Sequence, residues 1–130
     1  MEEIIASYTR AQATLDGVLI DVSKMAEEVG FTIPVAVTAT VWNEYIVPND
    51  KLREYGQSED GRLWDTLYML YMAIRQGGAS SRLIEYDVIF LQPAHKKYGR
   101  PRHRIVRLKS ICHPGDAMEP VITIMLPNEY

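Results

Sequence analysis

The turn at residues 113–119 holds the groups of greatest chemical interest in this chain. His113, Asp116 and Glu119 lie in a Pro-Gly segment that precedes an apolar run. An imidazole and two carboxylates at the end of a rigid strand can act as general acid and base, and they also match the composition of a facial metal triad. A turn in which Asp116 accepts backbone N–H groups explains the same residues without chemistry. Spacing alone leaves these alternatives open. We call this segment the Asp116 turn.

Two further polar groups could share a site with the Asp116 turn. Arg62 and Asp65 begin the longest predicted helix at a spacing that suits an ion pair. Arg10 lies beside the start of the first predicted helix, where an anion can bind. A small hydrolase or group-transfer enzyme would use Asp116 or Glu119 as general base and Arg10 or Arg62 to hold an anion. Helix capping and ion pairing are the structural alternative.

The remaining motifs point away from cofactor chemistry. Cys112 is the only cysteine, which excludes an internal disulfide, and we expect a buried, unreactive thiol. If the strand continues through His113, the imidazole points to the opposite face and cannot activate Cys112. The chain has no glycine-rich phosphate loop, no zinc-type Cys or His spacing and no nucleophile elbow. We therefore predict no cofactor and no metal.

Charge is strongly segregated along the chain. Residues 92–111 hold seven bases and no acid, which leaves seven bases against seventeen acids elsewhere. We call residues 92–104 the basic finger and interpret them as a hairpin loop, whereas Arg107 and Lys109 alternate with apolar residues and should face solvent. The candidate partner-binding residues are Lys96, Lys97, Tyr98, Arg100, Arg102 and Arg104. The structural alternative is a solvated tip whose bases pair with acids elsewhere.

Length and composition indicate one globular domain over residues 1–130. The chain is 47% hydrophobic and 24% charged, and its net charge of -3 argues against a protein that binds nucleic acid over its whole surface. Its start is acidic, and no apolar run approaches the ~18 residues that a membrane span needs. We expect a cytoplasmic protein, and the sequence leaves its oligomeric state open.

Hydrophobic periodicity predicts helices early in the chain and strands later. We expect residues 51–59 to be a loop, Asp60 to cap the longest helix, and the apolar stripe of that helix, including Trp64 and Tyr68, to be largely buried. Helices are predicted near residues 7–17, with Ser7 or Thr9 as cap, and near 24–29, 38–47 and 61–76; strands are predicted near 18–22, 84–91, 104–110 and 121–126. This order indicates a single-domain α+β fold, with an antiparallel sheet of about three to five strands and three to four helices packed mainly on one face.

Several segments together resemble a bacterial domain-of-unknown-function family. They are the opening at residues 7–13 and 16–22, the segment at 34–38 with Trp42, the helix start at 62–65, and the ending at 114–127. The resemblance spans most of the chain but lends the basic finger no support. It implies a small accessory protein of plasmids, prophages or other mobile elements, concerned with host interaction or counter-defence. It implies no reaction, cofactor or catalytic residue.

These observations favour a non-enzymatic protein that acts by protein–protein binding. An acidic protein or protein complex is the expected partner, because the bases of the finger are separated from an acidic body. The first alternative is the small enzyme with a site at Asp116 and Glu119. The second is nucleic-acid binding through the basic loop at residues 96–109.

Overall fold

A five-stranded mixed sheet forms the frame of the protein. The computed structural model describes residues 8–78, 81–96 and 99–129. The strand order is β1-β2-β5-β4-β3, and all neighbours are antiparallel except β2 and β5, which run parallel. The strands are β1 (Leu19–Asp21), β2 (Val35–Thr38), β3 (Leu83–Gln92), β4 (Arg102–Pro114) and β5 (Pro120–Met125). The predicted α+β class is confirmed, and the parallel pair makes the sheet mostly rather than wholly antiparallel.

The helices occupy the connections between these strands. Thr9 caps the first helix, whereas Ser7 lies outside the described residues. Ser58 caps the longest helix, so the prediction of Asp60 as cap is wrong. The predicted loop at residues 51–59 contains a short helix that Asn49 caps. The helices are α1 (Arg10–Leu15), α2 (Ser23–Val29), α3 (Ala39–Val41) with a π-helical turn (Trp42–Ile46), α4 (Asp50–Glu54), and α5 (Glu59–Ala73) with a π-helical turn (Ile74–Gly78).

The hydrophobic core lies between one face of the sheet and helices α2, α3 and α5. Alternate residues of the strands point into it, as the period of two along a strand requires. They include Val35 and Val37 of β2, Val88 of β3, and Ile122 and Ile124 of β5. Within the described ranges, no helix is long and apolar enough to cross a bilayer.

The opposite face of the sheet is covered by shorter segments. Ala36, Val121 and Met125 are buried there, which confirms the prediction that β5 is covered on both faces. Lys109 is also buried, because its ammonium donates to the carbonyl oxygens of Pro127 and Glu129 at the end of the chain. The prediction that Lys109 faces solvent is therefore wrong.

The buried face of α5 is narrower than the apolar stripe in its sequence indicates. Leu63, Leu67 and Leu70 are buried, but Trp64 is 40% exposed and Tyr68 is 43% exposed. The predicted burial of these two aromatic residues is wrong, because the sheet and α2 cover only one side of the helix.

Helix α2 passes close to α5 at Gly30. This residue has a φ of 135°, and a Cβ there would lie 2.8 Å from the ring of Tyr71. Gly77 has a similar φ of 128° but open space around it.

We predict that Gly30→Ala destabilises the protein more than Gly77→Ala does. Both substitutions strain the backbone, but only the first also overpacks the helix contact, at a cost of about 1–3 kcal/mol. Urea unfolding of the two variants measures the difference. Equal losses of unfolding free energy would show that Tyr71 moves aside freely.

Candidate functional site

The Asp116 turn is joined to the start of helix α1. The backbone N–H of Arg10 donates to Asp116 Oδ1 at 2.7 Å, and the N–H of Ala11 donates to Oδ2 at 3.0 Å. These are two of the N–H groups that the first turn of a helix leaves without an intrahelical partner. The two hydrogen bonds lower the pKa of Asp116 below its usual value. Asp116 thus serves as a second cap for α1, supplied from more than a hundred residues away.

The side chain of Arg10 continues the connection into the sheet. Its Nη1 donates to Thr123 Oγ1 at 2.7 Å, and its Nη2 donates to the carbonyl oxygen of Ile122 at 2.8 Å. His113 Nε2 lies 2.8 Å from the same hydroxyl, and its Nδ1 lies 3.0 Å from the carbonyl oxygen of Pro114. Because a carbonyl oxygen only accepts, Nδ1 carries a proton. Both ring nitrogens of His113 are therefore engaged.

The acid–base groups of the turn already have partners. Glu119 Oε1 accepts the N–H of Ala117 within the turn, so this carboxylate also closes the loop locally. No three His, Cys, Asp or Glu side chains in residues 8–78, 81–96 and 99–129 are gathered closely enough to hold a metal ion. The arrangement of His113, Asp116 and Glu119 is that of a hydrogen-bonded junction between the two ends of the chain.

Arg62 belongs to a different part of the molecule. It is 2% exposed, and its guanidinium donates only to neutral oxygens. Its planar group also stacks 5.0 Å above the ring of Phe90. The acceptors are the carbonyl oxygens of Tyr45 and Leu91 and the side-chain oxygens of Gln57 and Gln92, at 2.7 to 2.9 Å. Arg62 therefore ties α5 to the π-helical turn and to the end of β3.

The expected ion pair between Arg62 and Asp65 does not form. The two charges influence each other, but burial has the larger effect: it lowers the pKa of Arg62 and raises the pKa of Asp65. Arg62 also lies far from Asp116. Their positions are at opposite ends of β4, which is 13 residues long, roughly 40 Å. The structure brings Arg10 and the Asp116 turn together but leaves Arg62 and Asp65 apart from them.

The ladder between β3 and β4 extends into the basic finger, because Gln92, Arg102 and Arg104 are strand residues of this ladder. The last pair is Gln92 with Arg102. Pro93 and Pro101 flank the loop, and because proline lacks an N–H, neither can extend the ladder as a donor. Beyond this point the loop and the start of β4 enclose an open cleft of about 400 Å³. Its lining residues, which define what we call the basic cleft, are Ala94, His95, Lys96, Gly99, Arg100, Arg102 and Arg104.

The bases of the hairpin divide into two groups. Arg107 pairs with Asp87 at 2.9 Å and Glu85 at 3.5 Å, and Lys109 is bonded to the chain end. By contrast, no base of the cleft forms an ion pair with any acid in the described part of the chain. The structural alternative was that the bases pair with acids elsewhere in the chain. Such pairing is found at the stem of the hairpin but not among the described residues of its tip.

Arg104 has a buried donor without a partner in the described part of the chain. Its Nε is buried and has no acceptor among the described residues. Leaving a buried donor unpaired costs about 1–3 kcal/mol. The cleft as a whole presents several cations without an acidic partner in the described residues. Lys97 and Tyr98, also predicted to bind a partner, lie outside the described residues.

Sequence reasoning missed the residues that complete these clusters. Thr123 links Arg10 to His113, and Gln57 and Gln92 accept from Arg62. Thr123 could have been found, because it is the one polar residue in the apolar run at 121–126. The two glutamines carried no comparable signal.

The whole chain matches one protein family. The match to "Family of unknown function (DUF6573)" covers residues 1–130. A search of curated proteins and a search of solved structures each found no match.

We predict that Asp116 stabilises the fold in a pH-dependent way. Its pKa is depressed in the folded state, so its contribution is present above the ordinary carboxyl pKa of about 3.9 and is lost as pH falls through the lower folded value. Asp116→Asn should lower Tm at pH 7, and the difference from wild type should shrink in acid. Thermal unfolding at pH 7 and pH 3 measures this. Glu44→Gln is the exposed control, and a difference for Asp116→Asn that is constant with pH would contradict the account.

We predict that Arg62 is required for stability. Arg62→Lys keeps the positive charge but cannot reach all four acceptors with one ammonium. The loss should be about 2–4 kcal/mol, because buried carbonyl oxygens are left unpaired. Chemical denaturation measures it, with Arg53→Lys at an exposed ion pair as control. Equal stability of the two variants would show that water replaces the guanidinium.

Proposed function

We propose that this chain, which belongs to the family of unknown function DUF6573, acts by binding an acidic partner protein in the basic cleft. One observation carries the proposal. The bases at the stem of the hairpin are paired within the fold, whereas those around the cleft have no acidic partner in the described residues. This difference between the two sets of bases supports binding of an external anion at the cleft.

The chemistry of the cleft favours carboxylates. Arginine guanidinium groups bind carboxylates through two parallel hydrogen bonds, and three of the lining residues are arginines. An Asp or Glu side chain that entered the cleft could bind the guanidinium groups of exposed Arg100 and Arg102. Lys96 would add positive charge at the rim, and His95 a further hydrogen-bonding group.

A protein partner fits the charge distribution better than a nucleic acid does. Outside residues 92–111 the chain has seven bases against seventeen acids. A long polyanion that lay across this body would be repelled beyond the cleft, whereas an acidic side chain or short acidic segment would contact the cleft alone. The partner is thus expected to present a local acidic patch.

The enzyme alternative loses its geometric basis. It required the Asp116 turn, the start of α1 and the pair Arg62–Asp65 to share one pocket. The first two meet, but their polar groups bond to each other, and Arg62 lies near the opposite end of β4. We therefore propose the basic finger, and not the Asp116 turn, as the functional surface.

The proposed setting is that of an accessory protein of a mobile element, acting in the cytoplasm on a host complex. This part of the proposal comes from the resemblance of the opening and closing segments to families of that kind. An acidic patch on a larger host assembly would be the target, and counter-defence would be the biological outcome.

We predict that Arg100→Glu with Arg102→Glu abolishes partner capture without unfolding the protein. Both residues are exposed, so reversal should cost little stability, whereas half-buried Arg104 is kept. Affinity capture from the natural host, followed by mass spectrometry, measures binding. Acidic proteins retained by wild type should be lost from the variant.

Lys24→Glu with Arg82→Glu is the matched control, since it makes the same change in net charge on exposed residues, one on α2 and one before the start of β3, that do not line the cleft. It should capture the same proteins as wild type. Identical capture by the cleft variant and wild type would contradict the proposal. Capture that disappears after nuclease treatment would assign the cleft to nucleic acid instead.

A further inference from the structure

The outer side of helix α5 carries large apolar side chains beside exposed Asp65, where a solvent-facing helix normally carries mostly polar ones. Trp64 is 40% exposed, Tyr68 is 43% exposed, and neighbouring Met69 is 42% exposed. On a helical wheel, Tyr68 lies directly opposite the core-facing residues. Isolated exposed apolar residues are ordinary, but a contiguous apolar stripe marks an interaction surface.

The spacing makes these residues a continuous row. Trp64, Tyr68 and half-buried Met72 are four residues apart, so they lie next to one another along the helix. Tryptophan, tyrosine and methionine are also the residues enriched at the centres of protein interfaces. The row therefore has both the continuity and the composition of a contact surface.

The two ends of the row have opposite charge. Glu59 and Asp60 lie in the first turn of α5, and Arg75 lies just beyond its end on the same side as Tyr68. Arg75 is exposed and stacks on its own Tyr71, with its guanidinium 5.5 Å from the ring centroid. The row thus has an acidic start, an aromatic centre and a basic end. Two copies of such a row are complementary in charge when they run antiparallel.

We propose that this stripe, formed by Asp60, Trp64, Tyr68, Met72 and Arg75, is the contact surface of a symmetric homodimer. The α5 helices of two copies pack antiparallel, with the two-fold axis at Tyr68. This inference goes beyond the proposed function and does not depend on it.

The symmetry accounts for every member of the stripe. With the axis at Tyr68, the two tyrosines face each other, and Trp64 of each copy faces Met72 of the other. Arg75 of one copy then faces position 61 of the other, which is one residue, or about 1.5 Å along the helix axis, from Asp60. The Trp64–Met72 and Arg75–Asp60 contacts each occur twice, whereas the Tyr68–Tyr68 contact lies on the two-fold axis and occurs once.

Charge selects this arrangement over its alternative. Antiparallel packing brings Asp60 against Arg75 at both ends. Parallel packing of the same two helices would place acid against acid at one end and base against base at the other, which is destabilising. A second copy is therefore an occupant that matches the stripe in shape, composition and charge.

Cross-linking tests the placement of the axis. Tyr68→Cys in a Cys112→Ser background should form a disulfide-linked dimer under mild oxidation, because facing positions of two packed helices are close enough to be bridged. Lys24→Cys in the same background is the control on another exposed helix and should remain monomeric. No excess of dimer for Tyr68→Cys over this control would overturn the proposal.

Sedimentation velocity over a concentration series tests the dimer itself and its charge pairing. Wild type should show a monomer–dimer equilibrium. Asp60→Arg and Arg75→Asp should each raise the dimer dissociation constant about tenfold or more, and the double exchange should restore it. Circular dichroism checks that each variant is folded. A wild-type protein that is monomeric at all concentrations, or a double exchange no better than either single one, would overturn the proposal.

Discussion

The burial of strand β5 on both faces is the constraint on which the rest of the structure depends. β5 lies in the middle of the sheet, parallel to β2 and antiparallel to β4, with its core-facing residues packed under the helices. Its other face also has to be covered, and the first helix and the chain end do this. Thr123, the polar residue on that face, is satisfied by Arg10 and His113. Asp116 then fixes the start of α1. The polar cluster that looks catalytic in the sequence follows from covering a central strand.

The sequence predicted those parts of the fold that depend on local pattern. The nearly unbroken apolar run at 121–126 predicted a central strand, and the alternation at 84–91 predicted the buried face of β3. It could not predict the parallel pairing of β2 with β5, because strand order is a long-range property. The exposure of Trp64 and Tyr68 could not be predicted either, because an apolar stripe does not show which of its residues will pack against the sheet. Burial of Lys109 depends on the position of Pro127 and Glu129, which only the folded chain defines.

The candidate sites could be named from the sequence but not ranked. Arg10, Arg62, Asp116 and the bases of the finger were all recognised by residue type. Their roles depend on which donors and acceptors meet in the fold. Arg62 and Asp116 have their hydrogen-bonding groups filled by the protein itself, whereas the bases of the cleft keep their charge without an acidic partner in the described residues. The structure thus divides the charged residues into those that are bonded within the fold and those that have no acidic partner among the described residues.

The most direct test of this division is amide chemical-shift mapping of the isotopically labelled protein during titration with a polyglutamate peptide. We expect shifts concentrated at residues 94–96, 99–100 and 102–104, weakened by added salt, with little change at the Asp116 turn or around Arg62. Shifts centred on the Asp116 turn, or an absence of shifts at the cleft in low salt, would contradict it.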